Sequence, residues 1–351
     1  MNPAAGTPDL TGRARVVDVA RVAGVSTATV DRVLHGRRGV RAATVSRVAR
    51  AAAELDYLTE DALQQVLQPR PRTLAFLLPA GTNRFIQLLR DYVEIAHEHL
   101  APFNVACQCH VIEGFNPEVL ARALLRHGRR ADAVACIALD DVRVRKAVAT
   151  LAVESIPVFT LVSDLPDSQR TAYVGLDNAA AGRTAALLLG RFLAGRRGKI
   201  GLVAGSLSYR GHEEREAGFL ALMRERFPDL PVLGLREGHD DPQRNYEQTR
   251  ALLAQHPDLV GLYNLGGSSD GIARALKEAG MAEKVVFIGH ELTADTRAAL
   301  IDGTLDAVIN QNPQIEIMNC VRILANLRDG RDPLSGVEPM RVGIVLRENL
   351  P

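Results

Sequence analysis

The chain has 351 residues, of which 47% are hydrophobic, and its formal net charge at pH 7 is +1. This length suits two or three domains. Because no apolar run approaches the roughly 20 residues that a membrane-spanning helix needs, the composition argues against an integral membrane protein. The near-zero net charge identifies no partner by itself.

The cysteines lie in apolar stretches without the spacing of metal ligands. They are Cys107, Cys109, Cys136 and Cys320. This usage predicts reduced thiols in a cytoplasmic protein. Because neither a P-loop nor an HExxH motif is present, and no glycine-rich nucleotide motif follows the first predicted strand, we expect no metal and no cofactor.

The beginning of the chain differs from the rest in composition and charge. Residues 1–12 have no apolar core, which argues against a signal peptide and predicts a disordered tail. Residues 1–58 contain nine arginines and five acidic side chains, whereas the remainder is slightly acidic. A locally basic end is a modest sign of a nucleic-acid partner.

Residues 13–58 carry the pattern of three short helices. Asp18–Ala23 has apolar residues on one face, and Gly24 supplies the left-handed residue of a tight turn between helices. A second helix is predicted at Thr27–Leu34 and a third at Ala42–Leu55. Two short helices joined by a glycine turn and braced by a third are typical of a helix-turn-helix, although an ordinary three-helix bundle has the same pattern.

The second of these helices is the candidate recognition helix. The major groove of DNA is about 12 Å wide, so side chains that enter it should be small or polar, as the outward positions of this helix are. Arginines in the flanking turns suit phosphate contacts. The expected DNA contacts before residue 59 are Arg15, Val17, Ser26, Thr27, Ala28, Thr29, Arg32, His35, Arg37, Arg38 and Arg41.

In this segment the chain resembles the headpiece of LacI/GalR repressors. The resemblance lies in DVARVAGVSTATVDRVLHG at 18–36 and VRAATVSRVARAAAELDYL at 40–58, and it implies a sequence-specific DNA-binding regulator. The family usually has serine where this chain has Asp31 and asparagine where it has His35. An acid near a phosphate would repel it, so we expect one backbone contact to be lost or turned away at Asp31.

Residues 59–71 form the predicted hinge or linker. The resemblance implies a short helix here whose apolar side chain wedges into the minor groove, and Val66 or Leu67 occupies that position. Glu60 and Asp61 favour a helix start but are unexpected beside DNA. Two prolines end the segment and mark the domain boundary.

Residues 72–351 alternate short apolar runs with helical periods. Strand-like runs are TLAFLLPA, NVACQCHVI, AVACIAL, IPVFTLV, KIGLVAGS, VLGLREG, VGLYNLG, VVFIGHE and LDAVINQN, with TAYVGLD as a crossing segment. Apolar strands alternating with helices predict parallel sheets covered on both faces, and their number favours two similar lobes. Ligands bind such sheets at the carboxyl ends of the strands, so the site is expected in a cleft between the lobes.

This part of the chain resembles the type I periplasmic-binding-protein fold that LacI/GalR repressors use as a sensor. IPVFTLVSD, YVGLDNAAAGRTAA, EREAGF and VVFIGHE carry the resemblance, which favours the ribose-binding-like branch. The expected fold is a small all-α helix-turn-helix headpiece followed by an α/β two-lobed periplasmic-binding-protein-like domain with parallel sheets. Transport receptors share that fold, so a solute-binding receptor is the alternative function.

Side chains at the predicted strand ends suit a polyhydroxylated ligand. Amides, carboxylates and a guanidinium satisfy hydroxyl groups, and a ring packs against C–H groups. His290, Glu291 and Gln311 match the family's ligand positions best. Glu213 favours a ligand that carries a donor or a cation, and each candidate could instead cap a helix or lie at the surface. The expected ligand contacts are Asn83, Phe85, Asp140, Ser163, Asp164, His212, Glu213, Arg215, Asn264, His290, Glu291 and Gln311.

A G-x-S-x-G motif at Gly267–Gly271 raises the alternative of a hydrolase. Its Ser269 would need a base and an orienting acid later in the chain. The one histidine downstream is His290, which ends the very next predicted strand, and the one aspartate between them is adjacent to Ser269. The order of residues therefore argues against an enzyme.

Together these features predict a cytoplasmic homodimer without a membrane partner. One recognition helix per subunit would read half of a pseudo-palindromic operator, and a sugar, polyol or sugar derivative in the cleft would control operator affinity. Repression is the commoner mode in the family. No leucine heptad follows Leu350, so we expect a dimer rather than a tetramer.

Overall fold

A computed structural model describes residues 14–37, 39–59, 62–63, 66, 71–95 and 101–351. The chain divides into two units, residues 1–71 and 72–351. The first unit contains the predicted headpiece and linker, and the second contains the predicted sensor domain. Within the described part of the chain, no helix combines the length and apolar character needed to cross a membrane.

The first unit is built from α1 (Val16–Ala23), α2 (Thr27–Leu34) and α3 (Ala42–Glu54). Gly24 has φ +64°, the left-handed conformation that the turn after α1 requires. Val19 and Val30 are fully buried where the helices meet. The three predicted helices are confirmed, and α1 begins before Asp18 because the carboxylate of that residue accepts the N–H of Arg15 (3.0 Å).

The second unit contains two sheets. Their strands are β1 (Arg72–Pro79), β2 (Val105–Ile112), β3 (Ala133–Cys136), β4 (Val158–Leu161), β5 (Ala172–Val174), β6 (Lys199–Ala204), β7 (Arg236–Glu237), β8 (Leu259–Asn264), β9 (Val286–His290), β10 (Ala307–Asn310) and β11 (Gly343–Val345). The first sheet has the order β2-β1-β3-β4-β5 and is parallel throughout. The second has the order β11-β10-β9-β8-β6-β7, and β11 runs antiparallel to β10.

Helices cover both sheets. They are α4 (Arg84–Ile95), α5 (Pro117–Gly128), α6 (Val142–Val153), α7 (Asn178–Phe192), α8 (Arg210–Arg226), α9 (Pro242–Gln255), α10 (Ser269–Glu278), α11 (Ala294–Ile301) and α12 (Pro313–Arg328). The chain crosses back after β10, so that α12 packs on the first sheet with Ile317 and Val321 in its core. The predicted two-lobed α/β architecture is confirmed. Strand β11 was missed because three residues are too few to show a period.

The cysteines are free thiols. Cys136 and Cys320 are fully buried on β3 and α12. Burial raises the pKa of Cys107 and of Cys136 to about 12 in each case, so these thiols remain protonated and unreactive at neutral pH.

Helices α7 and α8 approach each other to backbone contact through two glycines. A Cβ atom at Gly182 would lie 2.0 Å from the carbonyl oxygen of Arg215, and one at Gly218 would lie 2.2 Å from that of Ala179. Both of these oxygens belong to the backbone and cannot move aside as a flexible side chain would, so the two helices would have to separate. This close approach fixes the position of Arg215 in the second lobe.

Gly182→Ala is therefore expected to lower the free energy of unfolding by about 1–3 kcal/mol, because the added methyl forces α7 and α8 apart. Gly234→Ala is the matched control, since nothing lies within 4 Å of the Cβ that it adds. Urea denaturation followed by far-ultraviolet circular dichroism measures both. Equal stability of the two variants would show that the helices are not in backbone contact.

Candidate functional site

The outward face of α2 carries small and polar side chains. Ser26, Thr27, Ala28 and Arg32 are exposed, and Thr29 is half-buried. The Ser26 hydroxyl accepts the N–H of Thr29 (3.2 Å) and therefore caps the helix. This face has the size and polarity that entry into a major groove requires.

Asp31, on the last turns of α2, is paired within the headpiece. Its carboxylate lies 2.9 Å from Nη1 of Arg37 and 3.0 Å from Nδ1 of His35. The acid expected to repel a phosphate thus has its charge offset by a neighbouring cation. In this conformation, two predicted DNA contacts, His35 and Arg37, are held by Asp31.

The remaining candidate contacts of the first unit lie at its surface and in the linker. Arg15, Val17 and Arg41 are exposed. The Thr59 hydroxyl accepts the N–H of Ala62 (3.3 Å), as the start of a hinge helix would require. Val66 is half-buried and packs against the headpiece core, which differs from the free wedge that the sequence predicted. Four candidate positions lie outside the described residues: Arg38, Glu60, Asp61 and Leu67.

A cavity of about 470 Å³ lies between the two lobes of the second unit, at the carboxyl ends of their strands. Its apolar wall is formed by Phe85, Ile86, Phe115, Ile137, Val162 and Tyr209. Its polar wall is formed by Thr82, Asn83, Ser163, His212, Arg215, His239, Asp240, Asp241, Arg244 and Glu291, with glycine backbone between them. Rings and apolar side chains facing acids, histidines and an amide make a site for an amphipathic polar molecule.

Half of the twelve predicted ligand residues line this cavity. They are Asn83, Phe85, Ser163, His212, Arg215 and Glu291. They follow β1, β4, β6 and β9 or lie on α4 and α8, at the edge where parallel strands end. The predicted location of the site and half of its predicted residues therefore coincide with the cavity.

Three predicted contacts are absent from the cavity wall because arginines engage them elsewhere. Asp140 accepts from Arg145 (2.6 Å). Asp164 is bound by Arg170, which neutralises it within its own loop. Glu213 lies 3.9 Å from Nη1 of Arg210 on α8, and 58% of its side-chain surface is exposed. The geometry therefore argues against direct contact of these three residues with a ligand.

Another three predicted contacts lie behind the wall, where they position it. His290 is buried, and its Nε2 lies 2.7 Å from the hydroxyl of Tyr263. Gln311 donates from Nε2 to Oε1 of Glu291 (2.8 Å). Asn264 donates to the carbonyl of Gly267 (2.9 Å). Gln311 thus supports Glu291 of the wall, whereas His290 binds Tyr263, and the prediction that these two side chains contact the ligand stays a prediction.

The loop after β7 supplies wall residues that the sequence did not reveal. Asp240 accepts the N–H of Gly267 (2.7 Å) and Nδ2 of Asn83 (3.0 Å), and its carbonyl accepts the Thr82 hydroxyl (2.9 Å). Thr82 and Asn83 follow β1 of the first lobe, so these bonds join the lobes across the cleft. The sequence predicted a strand just before this loop but not the loop's contact with the cavity, although the glycine, aspartates and proline of residues 238–242 are a turn signal that could have marked the loop.

Backbone strain is concentrated around the cavity. Five wall residues have left-handed φ angles although none is glycine: Phe115 (57°), Val162 (63°), His239 (53°), Asp240 (53°) and Glu291 (65°). Among the described residues ten non-glycine positions have positive φ, so half of them lie in this one wall. Each costs on the order of 1–3 kcal/mol and is typical of functional sites.

Arg215 is the buried cation of the wall. Its Nε donates to Oδ1 of Asn178 (2.8 Å), its Nη1 donates to the carbonyl of Leu265 (2.8 Å), and its Nη2 lies 3.7 Å from Oε1 of Glu291. Burial raises the pKa of Glu291 to about 7, although Arg215 and Gln311 oppose the shift. The carboxyl of Glu291 is thus poised to titrate near neutral pH.

A second buried carboxyl, Glu316 on α12, lies behind Glu291. It is fully buried, and neither of its oxygens has a hydrogen-bond partner among the described residues. Burial first, and the charge of Glu291 second, raise its pKa well above the ordinary range. The folded protein therefore favours the protonated form of Glu316.

Glu316→Gln is expected to remove a pH-dependent loss of stability. The folded chain keeps the Glu316 proton where the unfolded chain has released it, so the free energy of unfolding falls by up to about 1.4 kcal/mol per pH unit above the ordinary pKa. The variant should match the wild type near pH 5 and exceed it increasingly toward pH 8. Thermal unfolding across this range measures the gap, and exposed Glu348→Gln is the control. A gap that does not change with pH would contradict the assignment.

The hydrolase motif is not assembled as a catalytic site. Ser269 is buried, and its hydroxyl accepts Nδ2 of Asn264 (3.0 Å). His290 is occupied by Tyr263, and no hydrogen bond joins it to Ser269 among the described residues. Groups of three or more potential metal-ligating side chains are likewise absent from the part of the chain that the structure describes.

Two family models match the chain. A periplasmic binding protein domain matches residues 74–332, which contain both lobes. The chain belongs to the periplasmic binding protein domain family. A second model, for bacterial regulatory proteins of the lacI family, matches residues 16–60 and so places a lacI-type domain before this binding domain.

Curated relatives match the two parts of the chain separately. The HTH-type transcriptional repressor PurR of Vibrio parahaemolyticus is 38% identical over 81 residues, 23% of this chain and 24% of that protein. The ribose import binding protein RbsB of Salmonella typhimurium is 28% identical over 176 residues, 50% of this chain and 58% of that protein. The chain thus spans about a quarter of the first relative and under two thirds of the second.

Solved structures share the fold of the binding domain. The glucose-galactose binding protein GanP of Geobacillus stearothermophilus superposes with a TM-score of 0.72 at 22% identity, over 80% of this chain and 99% of that one. A solute binding protein of Burkholderia graminis in complex with D-arabinose gives 0.73 at 22% identity, over 80% and 98%. A putative LacI transcriptional regulator of Bacteroides fragilis gives 0.71 at 19% identity, over 80% and 98%.

Proposed function

We propose that this chain is a sequence-specific DNA-binding transcription regulator, acting as a repressor, whose operator affinity is set by a small polar ligand. The observation that carries the proposal is the presence of a lacI-type helix-turn-helix and a binding-protein cavity in one chain. The exposed small and polar face of α2 supports DNA reading. The similarity of the first part of the chain to a PurR repressor agrees with this role.

A sugar, polyol or sugar derivative is the proposed ligand class. Phe85, Phe115 and Tyr209 offer rings to the C–H face of a sugar, while Asn83, Asp240 and other polar groups offer partners to hydroxyl groups. Neighbouring structures in the same fold hold D-arabinose and D-fucose, which supports the class without choosing a member.

The proposed mechanism is a population shift between lobe arrangements. The hydrogen bonds of Asn83 and Thr82 to Asp240 cross the cleft, so a ligand that replaces or reinforces them favours one arrangement. In a homodimer, that change would alter the spacing of the two linkers and hence of the two recognition helices. The protein would act in the cytoplasm, where the DNA is.

Selection of DNA with the purified full-length chain tests the proposal. Genomic fragments retained on the protein should converge on a pseudo-palindromic sequence, with two half-sites that match the two-fold symmetry of a dimer. A thermal-shift screen of sugars and polyols on the same protein should find a stabilising ligand. Retention of random DNA without a shared sequence would contradict the regulatory role.

A further inference from the structure

One oxygen of the wall residue Glu291 has no donor. The side chain is 5% exposed, its Oε1 accepts from Gln311, and its Oε2 is buried with no hydrogen-bond partner among the described residues. The residue is also held at φ +65°. Glu291 is also one of the residues that line the cavity. A buried acceptor without a donor costs on the order of 1–3 kcal/mol, so an unpaired oxygen on a strained residue of the cavity wall points to a donor supplied by a bound molecule.

The charge of the wall restricts what that molecule can be. Three carboxyl groups, of Asp240, Asp241 and Glu291, line the cavity. Arg215 is already engaged by Asn178, the Leu265 carbonyl and Glu291, and Arg244 is exposed at the mouth of the cavity. An anionic ligand would therefore lie beside several acids without a free buried cation to offset its charge.

Behind the wall lies a second buried carboxyl, that of Glu316. It lies close enough to interact electrostatically with both Glu291 and Arg215, and both of its oxygens lack donors among the described residues. Any charge on Glu316 would therefore add to the unpaired negative charge near Glu291. A positive charge on the ligand would pair with the Glu291 carboxylate, so that Glu291 could ionise fully without leaving a buried charge unpaired.

We propose that the ligand of this cavity is an amine-bearing sugar or polyol whose ammonium group donates to Oε2 of Glu291. This rests on the proposed function, in which the cavity binds a sugar-like molecule, and it selects one class within it. The rings of Phe85, Phe115 and Tyr209 hold the C–H face of the ligand. Glu213, which suggested a cationic ligand from the sequence, is replaced in that role by Glu291.

Ligand binding is then linked to proton release. Glu291 faces Arg215 of α8, Asp240 of the loop after β7, Gln311 after β10, Glu316 of α12 and the adjacent His290, and His212 of α8 lines the same cavity. Without ligand its pKa is about 7, because burial outweighs Arg215. An ammonium lowers that pKa, so affinity falls by up to about tenfold per pH unit as the pH drops below 7.

Matched ligand pairs on the full-length chain test the inference. Calorimetry at pH 7.5 compares neutral sugars with their 6-amino-6-deoxy and 2-amino-2-deoxy counterparts and with the matching uronic acids, and ribitol with its 1-amino-1-deoxy counterpart. The aminated member of at least one pair should bind about tenfold or more tightly than its neutral partner, as a charge-assisted hydrogen bond requires. In buffers of different ionisation enthalpy, its binding should release about a quarter of a proton at pH 7.5 and close to one proton at pH 6, because the pKa of unliganded Glu291 is about 7.

Two variants assign the effect to the residue. Glu291→Gln should bind both members of the pair equally and release no proton, whereas Glu213→Gln, which removes a carboxylate outside the cavity, should keep the preference. The loss of affinity for the amine at pH 6 in the wild type is a readout that does not depend on the variants.

The outcomes separate this inference from the proposed function. Equal or tighter binding of the neutral member, tight binding of a uronic acid, or a preference that survives Glu291→Gln would overturn the amine assignment and leave the sugar-controlled regulator standing. Absence of binding by every member of the panel would overturn both.

Discussion

Replacement of Arg215 by alanine is expected to lower the free energy of unfolding by about 3–5 kcal/mol at pH 8, because removal of one partner leaves a buried charge unpaired. The side chain is 3% exposed, and it binds Asn178 and the Leu265 carbonyl as well as facing Glu291. Loss of the guanidinium leaves the Asn178 amide oxygen and the Leu265 carbonyl without their donor, and the Glu291 carboxylate without its counterion. Urea denaturation of the full-length protein measures the effect.

The same variant should lose less at pH 6. There, Glu291, with a pKa of about 7, is mostly protonated and no longer needs the guanidinium as a counterion. Arg244→Ala, at the exposed mouth of the same cavity, is the control and should cost less than about 1 kcal/mol at either pH. A similar loss for both variants would show that Arg215 is not the central support of the wall.

The second large effect is expected in the headpiece. Thr27→Ala combined with Arg32→Ala should weaken binding to the selected operator about 100-fold or more, because each lost base or phosphate contact of a recognition helix costs about 1–3 kcal/mol. Both side chains are exposed on α2, so the fold should be unaffected. Fluorescence anisotropy with labelled operator measures the loss.

Arg50→Ala on α3 is the control for the headpiece pair. It removes one positive charge from an exposed position outside α2, and should cost no more than about tenfold, with a smaller salt dependence of binding. Unaltered operator affinity in the double variant would overturn the assignment of α2 as the recognition helix. Ligand-induced thermal stabilisation should be the same in all three proteins.

The sequence predicted the elements of the fold because their signals are local. The bounds of α2 follow from the Ser26 cap and the apolar positions Val30 and Val33, and the buried strands are continuous apolar runs bounded by turns. The two-lobe arrangement followed from the number of these strands. The start of a helix is harder to predict where a side chain inside the helix caps a residue before it. The Asp18 carboxylate accepts the N–H of Arg15, so α1 begins earlier than predicted.

Half of the twelve predicted ligand residues lie in the cavity wall, because strand ends give the place but not the direction of a side chain. Asp140 and Asp164 end strands as expected, yet arginines hold them away from the cavity. Gln311 supports Glu291 from behind the wall, and His290 is held by Tyr263. Asp240 reaches the wall from a loop whose preceding strand has two residues, so its position depends on tertiary contacts with Asn83 and Gly267.

Asp31 shows how an unfavourable residue can be accommodated. The sequence indicated repulsion from a phosphate, whereas the structure pairs the carboxylate with Arg37 and His35. Contact of these two side chains with DNA phosphates would compete with their ion pair to Asp31, and a surface ion pair is worth only about 0–1 kcal/mol. Exchange of Asp31 for serine would remove that competition.

The central claim is that occupancy of the cavity controls DNA binding by the headpiece. Its most direct test is the dissociation constant of the full-length chain for its selected operator, with and without a saturating ligand from the thermal-shift screen. We expect the ligand to change this constant at least about fivefold, and the change to disappear in the cavity variant Asn83→Ala with His212→Ala at ligand concentrations that saturate the wild type. An operator affinity that is the same with and without bound ligand would contradict the account.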